Sequence, residues 1–147
     1  MAVFPRKLRS FRILVVEDNP ADVFLLEEAL KECDFSVQLD HVSDGEAAIE
    51  WIRTCDEEKR RPDLVILDLN LPKRSGHEVL QSIRSNEATR SLPVIVMSSS
   101  ASSRDIGRAY EFQANSYVRK PGDLDQLFEV VRMIERIWLG TVTLPPR

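Results

Sequence analysis

Polar side chains that could carry chemistry follow four apolar segments of this 147-residue chain. Glu17 and Asp18 follow the first segment, Asp68 follows the second, Ser98 ends the third, and Lys120 comes after a fourth, shorter one. Carboxylate oxygens are ligands for hard divalent cations, and a carboxylate can also act as a nucleophile toward phosphorus. An ammonium and a hydroxyl can hold the oxygens of a phosphoryl group. These residue types therefore suit a cation site beside an aspartate that becomes phosphorylated.

Asp68 is the candidate centre of this site, because each of the other groups could serve it. Three carboxylates that lie close together repel one another unless a cation neutralises them. With no cysteine or histidine among the candidate ligands, Mg²⁺ is the expected ion. Alone, each residue has a plainer interpretation, since an aspartate after a strand is a turn or capping residue by roughly 4 to 1. The joint occurrence of these groups after four segments favours the site.

The four segments must be strands of one sheet if their ends are to meet. Their unbroken apolar runs are typical of strands that are buried on both faces of a parallel sheet. Strand-like and helix-like segments alternate, which predicts an α/β fold with a doubly wound parallel sheet. Ligands of such sheets bind beyond the carboxyl ends of the strands, where the strand order reverses. The predicted strands lie near residues 12–17, 36–42, 63–67, 93–98 and 116–119, and the helices near 20–33, 44–55, 76–86, 103–113 and 123–139.

Two of the predicted helices carry a capping-box pattern at their start. Ser43 is followed three residues later by Glu46, and Ser75 by Glu78. In such a box the serine side chain accepts a hydrogen bond from the third helical residue, and the glutamate side chain accepts one from the serine N–H. We therefore expect the second and third helices to begin directly after Ser43 and Ser75.

Composition and charge exclude several classes of protein. A length of 147 residues fits one domain, and 43% hydrophobic with 30% charged residues is ordinary for a globular protein. No apolar stretch is long enough for a membrane span, and no signal peptide is expected. Residues 1–12 hold four basic groups and no acids, so the rest of the chain has a net charge of −8, which argues against nucleic-acid binding. Cys33 and Cys55 lack metal-ligand spacing and are expected to stay reduced in the cytoplasm.

The last predicted helix has more apolar surface than a single packing face requires. Beside the face that suits the sheet, Val130, Met133 and Ile137 form an adjoining stripe. A terminal surface helix needs one stripe about 100° wide, so the second stripe predicts a partner surface, for which another copy of the chain is a candidate. The alternative is that residues 141–146 fold over the stripe. The face that suits the sheet comprises Leu124, Leu127, Phe128, Val131 and Trp138.

The motifs around these residues resemble those of the receiver domain of bacterial two-component response regulators. The resemblance covers about residues 11–139 and implies a flavodoxin-like fold with five strands in the order 2-1-3-4-5 and five helices. A flexible basic N-terminal tail, residues 1–10, and a C-terminal tail, residues 140–147, would flank this domain. The motifs are Val16-Glu17-Asp18-Asn19, Asp68-Leu69-Asn70-Leu71-Pro72 with Gly76, Leu92-Pro93-Val94-Ile95-Val96-Met97-Ser98, and Tyr117-Val118-Arg119-Lys120-Pro121.

The resemblance implies a role for each candidate residue of the acidic site. Asp68 matches the phosphoacceptor of the family, and Lys120 matches the lysine that contacts the phosphoryl group. Glu17, Asp18 and Asp68, with the backbone carbonyl of Asn70, match the Mg²⁺ ligands. A sensor histidine kinase would donate the phosphoryl group, and the chain would catalyse only its own phosphorylation and dephosphorylation.

The resemblance also implies a switch beside the site. Ser98 matches the hydroxyl that reaches the phosphoryl group, and Tyr117 matches the aromatic residue that turns inward with it. The changed surface would then strengthen a contact such as dimerisation through the last helix. A cis bond between Lys120 and Pro121 is a further expectation from the family.

The finer motif text is similar to one subfamily, the stand-alone regulators found beside bacterial and cyanobacterial phytochromes. That similarity implies a bacterial phytochrome as the kinase, a homodimer and a cytoplasmic location. It rests on Glu17-Asp18-Asn19-Pro20-Ala21-Asp22, on Leu67-Asp68-Leu69-Asn70-Leu71-Pro72-Lys73 and on the aliphatic and tryptophan-containing end of the last helix. The kinase, its stimulus and the downstream target are not readable from the sequence.

Several other functions compete with this interpretation. A binding module of receiver shape need not accept phosphate at all, and only phosphorylation separates it from a response regulator. Small-molecule phosphatases with an aspartyl-phosphate intermediate use Asp-x-Asp, whereas here Asp68 is followed two residues later by Asn70. The chain contains neither the phosphate-loop pattern nor the dinucleotide-binding glycine pattern. His41 and His77 lack zinc-ligand spacing and are expected to be surface or capping-region residues.

Overall fold

The structure, a computed structural model, describes residues 10–146 and contains a five-stranded sheet with helices on both faces. A short π-helical segment, Glu135–Leu139, continues the last α-helix. The strands are β1 (Ser10–Val16), β2 (Ser36–Val42), β3 (Leu64–Leu67), β4 (Val94–Ser98) and β5 (Ser116–Arg119). The helices are α1 (Pro20–Lys31), α2 (Gly45–Thr54), α3 (Gly76–Ser85), α4 (Ser103–Glu111) and α5 (Leu124–Ile134).

All five strands are parallel, and their order is β2-β1-β3-β4-β5, which confirms the predicted doubly wound sheet. The chain runs from β1 outward to β2 and then returns to place β3 on the other side of β1. The strand order therefore reverses between β1 and β3. At that point the carboxyl ends of two neighbouring strands open a crevice in which such folds bind ligands.

The unbroken apolar runs are explained by burial on both faces of the sheet. In β1, Leu14 and Val16 join the core that α2, α3 and α4 cover, whereas Ile13 and Val15 join the core that α1 and α5 cover. All four side chains are fully buried. Successive residues of a strand point to opposite faces, so a strand covered on both sides must be apolar at every position.

The helix starts confirm one capping box and correct the other. Ser75 accepts from the backbone N–H of Glu78, whose side chain accepts from the Ser75 N–H, as predicted. The second box is wrong, because α2 begins one residue later than expected and its N-cap is Asp44, whose carboxylate accepts from the Ala47 N–H at 2.7 Å. Serine and aspartate are comparable N-caps, so adjacent candidates cannot be separated by type alone.

The last helix differs from the prediction of one continuous α-helix. Its buried residues Leu127, Val131 and Ile134 follow α-helical spacing, but the next is Leu139, five residues on, and Trp138 is only half-buried. The wider π-helical turn causes this shift, because there the N–H of Gly140 donates to the carbonyl of Glu135, five residues earlier, at 3.0 Å. Extrapolating an α-helical period past Ile134 therefore assigns the wrong residue to the core.

The expected cis bond between Lys120 and Pro121 is not met. Every peptide bond among the described residues is trans, including this one. Trans is the favoured isomer before proline by about 0.5–1 kcal/mol. No helix within residues 10–146 is long and apolar enough to cross a membrane. The predicted basic tail lies outside the described residues except for Ser10, which begins β1.

Gly76 is the position where the fold leaves no room for a side chain beside Asp68. A Cβ atom there would lie 2.2 Å from the Asp68 carbonyl oxygen and 2.6 Å from the Leu69 Cα. Because these are backbone atoms, we expect Gly76→Ala to push α3 away from the acidic loop and to lower the free energy of unfolding by about 1–3 kcal/mol. Urea unfolding monitored by circular dichroism measures the change.

Gly107→Ala is the matched control for that substitution. Gly107 lies within α4, and a Cβ atom there would have no neighbour within 4 Å. Alanine is the better helix former, so this variant should gain about 0.5–1 kcal/mol. Equal losses of stability in the two variants would show that the contact with the Asp68 backbone is not what requires glycine at position 76.

Candidate functional site

Three carboxylates meet at the carboxyl edge of the sheet, where β1 and β3 end. Glu17, Asp18 and Asp68 each place an oxygen within 4.8 Å of the others. Glu17 and Asp68 are buried, with 3% and 6% of their surface exposed, whereas Asp18 is exposed. Buried carboxylates at this spacing need positive charge, and the described residues supply one ammonium group in contact with them.

Backbone hydrogen bonds between neighbouring strands fix where the carboxylates lie. The N–H of Asp68 donates to the carbonyl of Val16 at 3.0 Å, and that of Glu17 donates to the carbonyl of Val42 at 3.1 Å. These two bonds extend the β1–β3 and β1–β2 ladders by one residue. A further clamp comes from His41 on β2, whose Nε2 lies 2.8 Å from the Glu17 carbonyl oxygen. Because a carbonyl can only accept, this nitrogen must carry the proton.

The two oxygens of the Asp68 carboxylate have different surroundings. Oδ1 accepts from the backbone N–H groups of Leu69 at 2.7 Å and Asn70 at 3.4 Å, which fixes the orientation of the side chain. Oδ2 accepts from the Lys120 ammonium at 3.1 Å. Asn70 itself is exposed beside this loop. The carboxylate is therefore held by one oxygen while the other faces the charged groups of the site.

Lys120 brings its ammonium group to the centre of the acids. Its backbone N–H donates to the Ser98 carbonyl at 2.8 Å, so the end of β5 is fixed against the end of β4. Its Nζ donates to Glu17 at 2.7 Å, to Asp22 at 3.0 Å and to Asp68 at 3.1 Å. A cavity of about 280 Å³ opens beside these groups and is lined by all four of them. Leu26 of α1 and Leu127 of α5 also line the cavity, whereas Asp18 does not.

The electrostatics of the cluster are dominated by burial and crowding. Burial, and then the hydrogen bond and charge of Asp68, raise the pKa of Glu17 to about 8, although Lys120 opposes the shift. Burial would lower the pKa of Lys120, but its hydrogen bonds to Glu17 and Asp22 and the charge of Asp68 raise it overall. The free site therefore disfavours the ionised form of Glu17, the form that a bound divalent cation would favour.

The hydroxyl residues beside the cluster form a second network. Ser98 is fully buried at the end of β4, and its Oγ accepts from the Ser100 N–H at 3.3 Å. The Tyr117 hydroxyl donates to the Ser100 carbonyl at 2.8 Å, and the Ser100 hydroxyl donates to Asp105 in the first turn of α4 at 2.6 Å. Tyr117 thus already packs inward over the loop between β4 and α4. One loop residue connects Ser98, Tyr117 and α4.

Comparison with known proteins decides the family. The profile of the response regulator receiver domain matches residues 13–132, which is most of the chain. The chain belongs to this receiver-domain family. The fold expected from the resemblance, with its strand order and five helices, is therefore confirmed both by the architecture and by the family match.

Relatives of this receiver domain include phytochrome-associated regulators. The response regulator Rcp1 of a Synechocystis strain is 42% identical over 135 residues, which cover 90% of this chain and 92% of Rcp1. Its Mn²⁺-bound crystal structure has a TM-score of 0.86 at 40% identity, covering 92% of this chain and 99% of that one. The phosphorylated cyanobacterial phytochrome response regulator RcpA has a TM-score of 0.89 at 41% identity, covering 93% and 99%. The probable methanogenesis regulatory protein FilR2 of Methanothrix harundinacea is 40% identical, covering 88% and 84%.

The receiver domain also contains site residues that the sequence did not reveal. Asp22 contacts Lys120, but an acid in the first turn of a helix is usually explained by the helix dipole. His41 clamps Glu17, and the pairing of β1 with β2 places the two residues together. His77 is buried in the first turn of α3, where its Nε2 lies 3.2 Å from the Asp105 carbonyl oxygen. Each contact depends on which residues the fold brings together.

Proposed function

We propose that this receiver domain accepts a phosphoryl group on Asp68 from the phosphohistidine of a sensor histidine kinase. The observation that carries the proposal is the position of the Asp68 carboxylate, buried at the strand-order reversal beside Glu17, Asp18 and Lys120. An oxygen of Asp68 bonds to phosphorus while the bond from phosphorus to the imidazole nitrogen breaks. The electron pair remains on the imidazole, which takes up a proton. Water later cleaves the acyl phosphate, which regenerates the carboxylate and releases inorganic phosphate.

The donor set fits a divalent cation, with Glu17, Asp18, Asp68 and the Asn70 carbonyl as its ligands. All of these ligands are oxygens, which suits Mg²⁺, and the three carboxylates lie close enough together for one ion to bind them. The Mn²⁺ bound by the related Rcp1 supports a divalent site of this kind. When bound, the cation would neutralise the charge between nucleophile and phosphoryl oxygens. Asp68 supplies the nucleophile, and the backbone N–H groups of Leu69 and Asn70 orient it.

Lys120 and Ser98 serve the phosphoryl oxygens in this proposal. The Lys120 ammonium lies 3.1 Å from the Asp68 carboxylate. It would contact an oxygen of the phosphoryl group once that group is bound to Asp68. The buried Ser98 hydroxyl would turn toward a second oxygen to donate to it, and this rotation would break the bond that its Oγ accepts from the Ser100 N–H. Because Ser100 also holds Tyr117 and Asp105, this movement would reach β5 and α4. Positioning and charge stabilisation by these groups are how the chain catalyses its own phosphorylation and dephosphorylation.

The kinase that we propose is a bacterial phytochrome in the same cytoplasm. Rcp1 and RcpA support this choice, since both are similar to the chain over nearly its whole length. FilR2 shows that a regulator named for methanogenesis is almost as similar, so the kinase must be established by transfer. Rapid phosphotransfer from a phosphorylated phytochrome, compared with an unrelated histidine kinase, tests the assignment. Equal rates from the two kinases would contradict it.

The chemistry itself can be tested without a kinase. The protein is incubated with acetyl phosphate and Mg²⁺, and intact mass is measured for the addition of one phosphoryl group. Borohydride reduces an aspartyl phosphate to homoserine, so peptide mapping should find homoserine in place of Asp68. A parallel incubation with a chelator should give no addition. Homoserine at any other aspartate, or no labelling with Mg²⁺, would overturn the proposal.

A receiver-shaped binding module that does not depend on phosphorylation is the second candidate. The observation in its favour is the inward position of Tyr117, whose hydroxyl already bonds the Ser100 carbonyl without a phosphoryl group. If that position defines the active surface, partner binding would precede phosphorylation. Partner affinity that does not change when acetyl phosphate and Mg²⁺ are added would favour this candidate.

The partner that we propose for the last helix is a second copy of the chain. Of the three predicted contact residues, Met133 and Ile137 are 61% and 51% exposed, while Val130 is half-buried against the core. The C-terminal tail leaves the side chains of Met133 and Ile137 exposed. The Val142 N–H donates to the Ile137 carbonyl, and the tail then runs beside Ser10. Two large apolar side chains thus remain at the surface of the helix.

Ile137→Asp is expected to convert the dimer to a monomer. A charge in the centre of an apolar contact would lose its hydration when the two copies associate, which costs several kcal/mol. The dissociation constant of the dimer should therefore increase at least roughly a hundredfold. Light scattering coupled to size exclusion measures the mass with and without acetyl phosphate. Phe24→Asp is the matched control, because Phe24 is similarly exposed on α1. A dimer that survives Ile137→Asp would exclude this surface.

A further inference from the structure

Asp22 is a third carboxylate on the ammonium of Lys120. An ammonium has three N–H groups, and here all three are used, by Glu17 at 2.7 Å, Asp22 at 3.0 Å and Asp68 at 3.1 Å. For Lys120 to donate to a phosphoryl oxygen, one of these carboxylates must give up its bond. Which of them does so depends on what else each carboxylate binds.

The three partners of Lys120 differ in their relation to the cation site. Glu17 and Asp68 belong, with Asp18, to the cluster whose oxygens lie within 4.8 Å of one another, and Asp22 lies outside it. A divalent cation in that cluster would take oxygens of Glu17 and Asp68 and weaken their attraction for the ammonium. Asp22 is then the partner of Lys120 whose negative charge is not shared with the cation.

Asp22 is also placed to act as a fixed anchor. It lies in the first turn of α1, where its N–H donates to the side chain of the N-cap residue Asn19 at 3.4 Å. Its side chain is 32% exposed, compared with 4% and 7% for Glu17 and Asp68. An ion pair at the rim loses less hydration than a buried one, so Asp22 can hold the ammonium at low cost.

We propose that Asp22 is a positioning residue that draws Lys120 toward α1 and so lowers the competition between the ammonium and the divalent cation for Glu17 and Asp68. This inference rests on the proposed function, because it assumes a cation in the acidic cluster. Without Asp22, the partners that remain for the ammonium among residues 10–146 are the two cation ligands Glu17 and Asp68. Binding the cation would then require displacing Lys120 from both.

A double-mutant cycle separates this role from a simple loss of negative charge. The affinity for Mg²⁺ is measured by calorimetry at fixed pH and ionic strength for the wild type, Asp22→Asn, Lys120→Met and the double variant. Asp22→Asn should weaken Mg²⁺ binding by roughly fivefold in the wild type and by less than about twofold when Lys120 is absent, because coupled residues are not additive. Equal losses in both backgrounds, or no loss in either, would overturn the proposal.

Asp22→Glu provides the conservative rescue. Glutamate keeps the charge on a longer side chain, so its Mg²⁺ affinity should stay within about twofold of the wild type. Thermal unfolding in chelator checks that each variant is folded. A rescue variant as weak as Asp22→Asn would overturn the positioning role. Wild-type protein that binds no Mg²⁺ would overturn the proposed cation site as well, whereas wild-type binding without coupling would overturn the role of Asp22 alone.

Discussion

Asp68→Asn is expected to reduce phosphorylation by acetyl phosphate to background, a loss of roughly a hundredfold or more, because an amide oxygen is a far weaker nucleophile than a carboxylate. The isosteric side chain can still accept from the Leu69 and Asn70 N–H groups through its oxygen, so the loop should keep its shape. Intact-mass measurement after incubation with Mg²⁺ gives the phosphorylated fraction. Circular dichroism confirms the fold.

Asp125→Asn is the control for the loss of one carboxylate. Asp125 lies exposed in the first turn of α5, outside the acidic cluster, and its neutralisation should leave phosphorylation unchanged. The Asp68 variant should also bind Mg²⁺ more weakly, since one of the three clustered carboxylates is lost. Undiminished labelling of Asp68→Asn would mean that another residue accepts the phosphoryl group, and the site would have to be reassigned.

The same variant decides between the two candidate functions. If phosphorylation drives assembly, acetyl phosphate should increase the dimeric fraction of the wild type and leave Asp68→Asn unchanged. If the inward position of Tyr117 is sufficient, both proteins should assemble equally without a phosphoryl donor. The difference is visible in solution mass at a single protein concentration, provided that the concentration lies near the dissociation constant.

The fold and the centre of the site are predictable from the sequence for a physical reason. A strand that is covered on both faces must be apolar throughout, so the runs that end before Glu17 and Asp68 identify the central strands and their carboxyl ends. Parallel connection places those ends at one edge. Residue type then suggests the chemistry, and the family motifs imply the roles that we propose.

Other features depend on spatial choices that residue type does not encode. Asp44 caps α2 although Ser43 was an equally good candidate, and the π-helical turn puts Leu139 in the core where α-helical spacing selects Trp138. Asp22 and His41 contact the site through the packing of α1 and β2. Their residue types permit these contacts but also fit many other environments, so coordinates are needed to find them.

The raised pKa of Glu17 predicts the second large effect, a strong pH dependence of cation binding. Its pKa of about 8 in the free protein means that a proton must leave when a divalent cation takes the carboxylate. Below pH 8 the Mg²⁺ affinity should therefore rise by up to about tenfold per pH unit and then level off. The pKa of Lys120 is raised, so its charge should not change over this range.

The stability of the metal-free protein should show the opposite trend. Because the pKa of Glu17 is raised in the folded state, its proton stabilises the fold fully below the ordinary pKa of 4.5, and this contribution is lost as the pH rises toward 8. The free energy of unfolding in chelator should fall by as much as about 1.4 kcal/mol per pH unit between pH 5 and 8. Saturating Mg²⁺ should remove the trend, because the tighter binding to the folded state at higher pH offsets the loss over the same range.

Calorimetry in two buffers with different ionisation enthalpies measures the proton directly. At pH 7 about one proton should be released for each Mg²⁺ bound, because Glu17 is then mostly protonated in the free protein. Glu17→Gln should bind Mg²⁺ more weakly and with almost no proton release, which would assign the released proton to this carboxyl. An affinity that is the same at pH 6 and pH 8 would show that Glu17 is already ionised in the free site, with Lys120 as its sufficient counter-charge.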